Sequence, residues 1–153
     1  MANLVQIWKM MDGDSHVTLH CFLRGDPADA ELTNYVLLDP FTDLTPPMPR
    51  KQNLILKQIW YELNNFSITL AFEEQDGSWP FWTLNSGASL HHDWRFFGGI
   101  RDRSAAVQGM VSTGRLLMST VGLTEQTIPI NQARSGTLIL WLEKRNRPNP
   151  QPD

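Results

Sequence analysis

Large apolar residues in this chain recur at every second position over short runs that end in Gly, Pro, Asn or Asp, and that spacing predicts strands. The plainest run is Phe66-Ser67-Ile68-Thr69-Leu70-Ala71-Phe72, where four large apolar side chains alternate with small or hydroxyl ones, as a strand with one buried face requires. Val17, Leu19, Cys21 and Leu23 alternate with Thr18, His20, Phe22 and Arg24, and Gly25-Asp26-Pro27 then supplies residues suited to a turn. From Thr137 to Glu143, Leu138, Leu140 and Leu142 share one face while Ile139 and Trp141 take the other, the pattern of a strand covered on both sides or lying at an interface. Shorter strands are predicted at Val5 to Trp8, Asn34 to Leu38, Phe81 to Leu84, Trp94 to Phe97 and Leu116 to Val121. Leu54 to Leu63 fits two patterns, because Ile55, Ile59 and Leu63 also fall at helical spacing; the β-formers Ile59-Trp60-Tyr61 decide for a strand, which Asn64-Asn65 turns directly into the next.

About eight or nine short strands without a convincing helix point to an all-β fold, a two-sheet antiparallel β-sandwich of jelly-roll type. The stretch Asp39 to Pro49 carries Pro40, Pro46, Pro47 and Pro49, each of which would remove a ladder donor, so it reads as a surface crossover. Residues 145–153 hold Pro148, Pro150 and Pro152 and no large apolar residue, which describes an extended C-terminal arm able to dock on a neighbour. The division that follows is a single sandwich domain over 1–144 and a tail over 145–153, with no internal repeat.

Composition narrows the partners. A chain of 153 residues can bury a core of its own, and a charged fraction of only 19% leaves much of the surface uncharged. Thirteen basic against sixteen acidic side chains give a net charge of −3, and no basic block exceeds Arg50-Lys51, so the footprint of a nucleic-acid binder is missing. The single Cys21 excludes an intramolecular disulfide and multi-cysteine zinc sites. Met1 to Met11 lacks the apolar run of a signal peptide, and no segment approaches the roughly 18 to 20 apolar residues of a membrane span, so a protein made and assembled in a cytoplasm is expected.

Candidate chemistry is sparse. His91-His92-Asp93 is the one cluster that invites a metal or acid/base reading, but on a strand adjacent side chains point to opposite faces, pairing His91 with Asp93 and His92 with Trp94. A site would need His16 or His20 to converge on them, and a hydrogen-bonding structural role is the preferred reading. Glu73, Glu74, Asp76 and Asp93 are the carboxylates a glycosidase would need, yet Glu73-Glu74-Gln75-Asp76-Gly77 reads more simply as a solvated turn. Ser104, Ser112, Ser119 and Ser135 lie outside any nucleophile-elbow context, and Gly98-Gly99 and the glycines from Gly109 to Gly114 lack the lysine and helix of a phosphate loop. Arg24-Gly25-Asp26 spells an adhesion tripeptide but sits where a strand should end, and Asp12-Gly13-Asp14 lacks the later ligands of a calcium loop and fits a hairpin end. The expectation is therefore no catalytic residue, no metal and no cofactor.

The aromatic residues carry more. Trp79, Trp82, Trp94 and Trp141, with Phe81, Phe96 and Phe97, are too many for one small core, unless the sandwich absorbs them all. Aromatic anchors with few flanking charges mark interface centres, and the candidate interface is Trp79, Trp82, Trp94, Phe96 and Phe97. An all-β domain with exposed tryptophans could instead stack on sugar rings, as a carbohydrate-binding host-recognition module with Trp79, Trp82 or Trp94 as its platform.

Ile59-Trp60-Tyr61, the strand Phe66 to Phe72, His92-Asp93-Trp94-Arg95-Phe96-Phe97-Gly98-Gly99-Ile100, Gly114-Arg115-Leu116-Leu117-Met118-Ser119-Thr120 and Gly136 to Lys144 together resemble small structural proteins of tailed-bacteriophage particles, over residues about 54 to 144. The resemblance implies a virion structural protein of the capsid decoration or cement kind, held on the capsid surface by the major capsid protein or another virion protein. It also implies a homo-oligomer, with a trimer favoured, and no catalytic residue. The proline-bearing crossover and arm depart from that pattern.

Overall fold

A computed structural model of the chain describes residues 2–13, 15–44, 54–102, 112–125 and 134–144. The described strands are β1 (Leu4–Asp12), β2 (His16–Arg24), β3 (Tyr35–Leu38), β4 (Leu54–Leu63), β5 (Ser67–Glu74), β6 (Gly77–Leu84), β7 (Gly87–Asp93), β8 (Ile100–Arg101), β9 (Ser112–Val121) and β10 (Ser135–Lys144). A four-residue helix α1 (Pro40–Asp43) follows β3, and a single 3-10 turn (Arg95–Phe97) separates β7 from β8. The strands form two antiparallel sheets: a six-stranded one in the order β1-β2-β10-β4-β7, with β8 also beside β4, and a four-stranded one in the order β3-β9-β5-β6. The protein is a β-sandwich.

Alternation builds this sandwich strand by strand. In β2, Val17, Leu19, Cys21 and Leu23 are buried, and β10 faces them with Leu138, Leu140 and Leu142. From the other sheet Ile68, Leu70 and Phe72 of β5 and Leu116 and Met118 of β9 complete the layer between. Burying these side chains is the main favourable term in folding, and period-two spacing lets both sheets contribute without exposing the next residue's polar group to the core.

Asn64-Asn65 does turn β4 directly into β5, with Asn65 in the left-handed region at φ 64°, but it carries the chain from one sheet to the other. Gln75-Asp76 forms the hairpin turn between β5 and β6, while Glu73 and Glu74, expected in that turn, extend β5 and pair with Ser78 and Gly77. Pro40 opens α1 in its first turn, and Asp39 caps it by accepting a hydrogen bond from the Phe41 amide at 3.1 Å. The rest of the proline-bearing crossover and the arm at 145–153 lie outside the described residues, as do Asp14, Ser104 and Gly109. Arg24-Gly25-Asp26 leaves β2 at the strand end, where a Cβ on Gly25 would stand 2.0 Å from the Leu123 carbonyl oxygen. Close packing, not recognition, accounts for that glycine.

One expected strand is absent from the described residues. Trp94 to Phe97 is a 3-10 turn, because the Asp93 carboxylate captures both the Arg95 amide, at 3.0 Å, and the Arg95 guanidinium, at 2.7 Å. Local side-chain bonds of this kind compete with a strand ladder, and Gly98 at φ 84° then reverses the chain. The sheet edges are blunted: β1 bulges between Lys9 and Met11, β3 between Val36 and Leu38, and edge strand β6 contains Pro80.

Candidate functional site

The aromatic side chains fall into three groups. The first closes the open side of the sandwich, where β6 ends one sheet and β7 flanks the other. Trp82 from β6 meets Trp94 at 5.1 Å between ring centroids and His92 at 5.5 Å, and His92 lies over Trp94 at 5.7 Å. His92 Nε2 is 3.0 Å from the Tyr61 hydroxyl, whose acidity burial weakens. Trp79 packs on Phe81, which stacks on the buried Phe72 at 4.6 Å. Trp79 and Trp94 thus rest against the core, while Trp82 is 36% exposed. The indoles of Trp82 and Trp94 meet edge-on at 77°, so they do not form the flat platform that sugar stacking would use.

The second group is the tip of the 3-10 turn. Phe96 is 92% exposed and Phe97 82%, with their rings 5.3 Å apart in an edge contact. The backbone beneath them is tightly held. The Trp94 amide donates to the Lys57 carbonyl at 2.9 Å, the Phe97 and Gly99 amides donate to the Trp94 carbonyl, and Lys57 Nζ donates to the Gly98 carbonyl at 3.2 Å. Arg95 hydrogen-bonding holds the Asp93 carboxyl down at about 2, well below its ordinary value. Gly99, at φ 88°, packs so closely that a Cβ would lie 2.4 Å from Ile55 Cγ2 and 2.9 Å from the Leu56 carbonyl oxygen.

A third group lies outside the candidate interface, although the sequence had already set Ile139 and Trp141 together on one face of their strand. On the outer face of the six-stranded sheet, strand register aligns Trp8, His20, Ile139, Trp60 and His91 in one row running across β1, β2, β10, β4 and β7. Met11, Thr18, Trp141, Gln58 and Asp93 form the next. Trp8 is 45% exposed and Met11 51%. Beside this second row lies a surface depression of about 370 Å³, lined by Met11, Val17, Trp141 and Leu142 and walled by Lys57, Arg95 and Glu143. The signal was present in the alternation itself: a strand that buries Leu138, Leu140 and Leu142 must turn Ile139 and Trp141 outward. A second depression, of about 450 Å³, has Phe22, Glu62, Asn64 and Thr137 in its wall.

No protein-family model, curated protein or solved structure matches this chain.

The residues weighed for chemistry are engaged separately. His91 Nε2 sits 3.1 Å from Gln58 Oε1, and His16 Nδ1 is 2.8 Å from the Ser15 hydroxyl. His20 packs on Trp8 at 5.1 Å. His20 and His91 share a row but lie three strand spacings apart, roughly 14 Å, too far to hold one ion. Glu73 accepts from the Thr113 hydroxyl at 2.8 Å and pairs with Arg115, which also binds Asp39 at 3.1 Å. Asp93 is taken by Arg95, so Glu73, His91 and Asp93 do not converge in a pocket. Among the described residues no three of His, Cys, Asp and Glu come together as a metal site. Cys21 is fully buried, and that burial pushes its thiol up to about 12.

Proposed function

We propose that this chain is a non-enzymatic structural protein of a tailed-phage particle, a capsid decoration protein that binds the assembled head and stabilises it. The observation that carries the reading is the turn at 95–99. The aspartate-arginine-aromatic stretch with its double glycine is the segment on which the resemblance to phage structural proteins turns, and it holds two almost fully exposed phenyl rings on a braced backbone. Exposed apolar groups on rigid supports cost little to order on binding, which is what a clamp between protein subunits requires. A net charge of −3 limits repulsion between copies crowded on a lattice.

The jelly-roll reading belongs to the same proposal. With β1 and β8 set aside, the remaining strands pair first with last (β2 with β10), second with seventh (β3 with β9), third with sixth (β4 with β7) and fourth with fifth (β5 with β6). That nesting is what a rolled-up double Greek key produces, and it supports the assignment.

A decoration protein that binds only the assembled state raises the free energy of shell disruption by mass action. The test is co-sedimentation with emptied tailed-phage heads, followed by heating. The expected result is saturable binding and a higher disruption temperature for decorated heads. A chain that stays in the supernatant at all concentrations overturns the reading.

A further inference from the structure

We propose that Phe96 and Phe97 of one copy of this chain seat in the depression beside Trp141 of a second copy. This contact does not rest on the virion reading; it comes from four features of the surface.

Size is the first. A cavity of about 150 Å³ is enough for one benzene-sized ring, and the depression of about 370 Å³ therefore has room for two phenyl groups. Its lining is the second: Trp141 presents an aromatic wall, Met11, half exposed and flexible, can adapt to an incoming ring, and His16, Thr18 and Gln58 complete the surface between them. Within one copy the rings do not occupy it, since both remain more than four-fifths exposed.

Charge is the third. The charged groups around the depression are matched within the chain, Lys57 with Glu143 at 2.9 Å and Arg95 with Asp93 at 2.7 Å, so two identical surfaces can meet without net repulsion. Position is the fourth. Arg95 walls the depression and immediately precedes Phe96, so the protruding rings and the site that would receive them are neighbours. Because the two patches adjoin, two copies can exchange rings about a two-fold axis, each filling the other's depression. Covering the two rings removes roughly 300 Å² from water, a large part of the roughly 800 Å² per partner of a stable interface. Met10, 60% exposed, Met11 and Trp8 lie on strand β1 and can supply more of the remainder.

Sedimentation velocity on the full chain, from micromolar to hundreds of micromolar, tests this with two variants. The wild type is expected to form a discrete oligomer. The double variant Phe96→Ser, Phe97→Ser, which changes only exposed side chains, should associate at least tenfold more weakly with an unchanged far-ultraviolet spectrum. Met11→Arg, at the rim of the depression, should weaken association to a similar extent. An equimolar mixture of the two variants joins intact rings to an intact depression, so it should associate more strongly than either variant alone. A wild type that is monomeric throughout overturns the proposal, and binding to emptied heads that then depends on Phe96 and Phe97 would give these rings to the shell instead. An oligomer that survives both variants, or a mixture no stronger than its parts, also overturns it.

Discussion

Trp94 and the pair Phe96-Phe97 are separated by a single residue, yet they meet opposite fates. Trp94 turns inward, packing on Trp82 and His92 and closing the gap between the edges of the two sheets. Phe96 and Phe97 stand in solvent at 92% and 82% exposure. Composition does not separate them, because all are large aromatic side chains. The backbone does: Trp94 is the last residue tied to β4 before the turn, through the hydrogen bond from its amide to the Lys57 carbonyl, whereas the Asp93 carboxylate draws Arg95 into a turn that leaves the sheet until β8 rejoins β4. An exposed aromatic on so well braced a turn costs stability, which is why its exposure calls for a partner and that of an isolated loop residue would not.

The largest effect should come from Trp94→Ala. Removing a large, mostly covered aromatic ring leaves Trp82 and His92 without their common neighbour, and the expected loss is about 3 kcal/mol of unfolding free energy, measured by urea denaturation. A loss below about 1 kcal/mol would mean that the sheet edges close without this ring. Gly99→Ala probes the other side of the comparison. Its φ of 88° and the backbone oxygen of Leu56 at 2.9 Å from any Cβ make a side chain there strained. The expected cost is about 2 kcal/mol, with the turn at 95–99 displaced and the Trp94 environment retained. Tryptophan fluorescence separates the two variants, since only the first should change it strongly.

These two regions also mark how far the sequence could be read. Strands β2, β5 and β10 were legible because strict alternation leaves one arrangement that buries Leu19, Leu70 and Leu140 together. Leu54 to Leu63 was correctly taken as a strand on β-propensity, although its spacing also fitted a helix. Trp94 to Phe97 was misread because aromatic residues have high strand propensity, and propensity carries no information about the Asp93 side chain competing for the Arg95 amide. β7 was hard to see as a whole, since Gly87, Ala88 and Ser89 show no alternation and the strand exists by pairing with β4. The division of the candidate aromatics Trp79, Trp82, Trp94, Phe96 and Phe97 into covered and exposed sets was not legible, because it depends on which sheet edge each one reaches. The outer rows, one through Trp8 and Trp60 and the next through Trp141, required strand register across four neighbouring pairs, and register is a long-range property.

The smallest effect is the most specific to the turn. Asp93 ionises at about 2 in the folded protein because it accepts hydrogen bonds from the Arg95 guanidinium and then from the Arg95 amide. Its ordinary value is 3.8, so the folded state holds the charged form more tightly than the unfolded chain does. The contribution of this pair is therefore complete above the ordinary carboxylate range and is lost as the pH falls toward about 2. Carbon-detected NMR of the Asp93 carboxyl between pH 5 and pH 2 should show it still ionised near pH 3. Phe96 and Phe97 resonances should shift together with it, while those of Trp94, whose amide is fixed to Lys57, should not follow. A midpoint close to 4 would show that Arg95 does not grip the carboxylate in solution, and the two phenyl rings would then hang on a loose loop. If Trp94 followed the same titration, the covered and exposed aromatics would be one cooperative unit, and the contrast between them would be one of exposure alone.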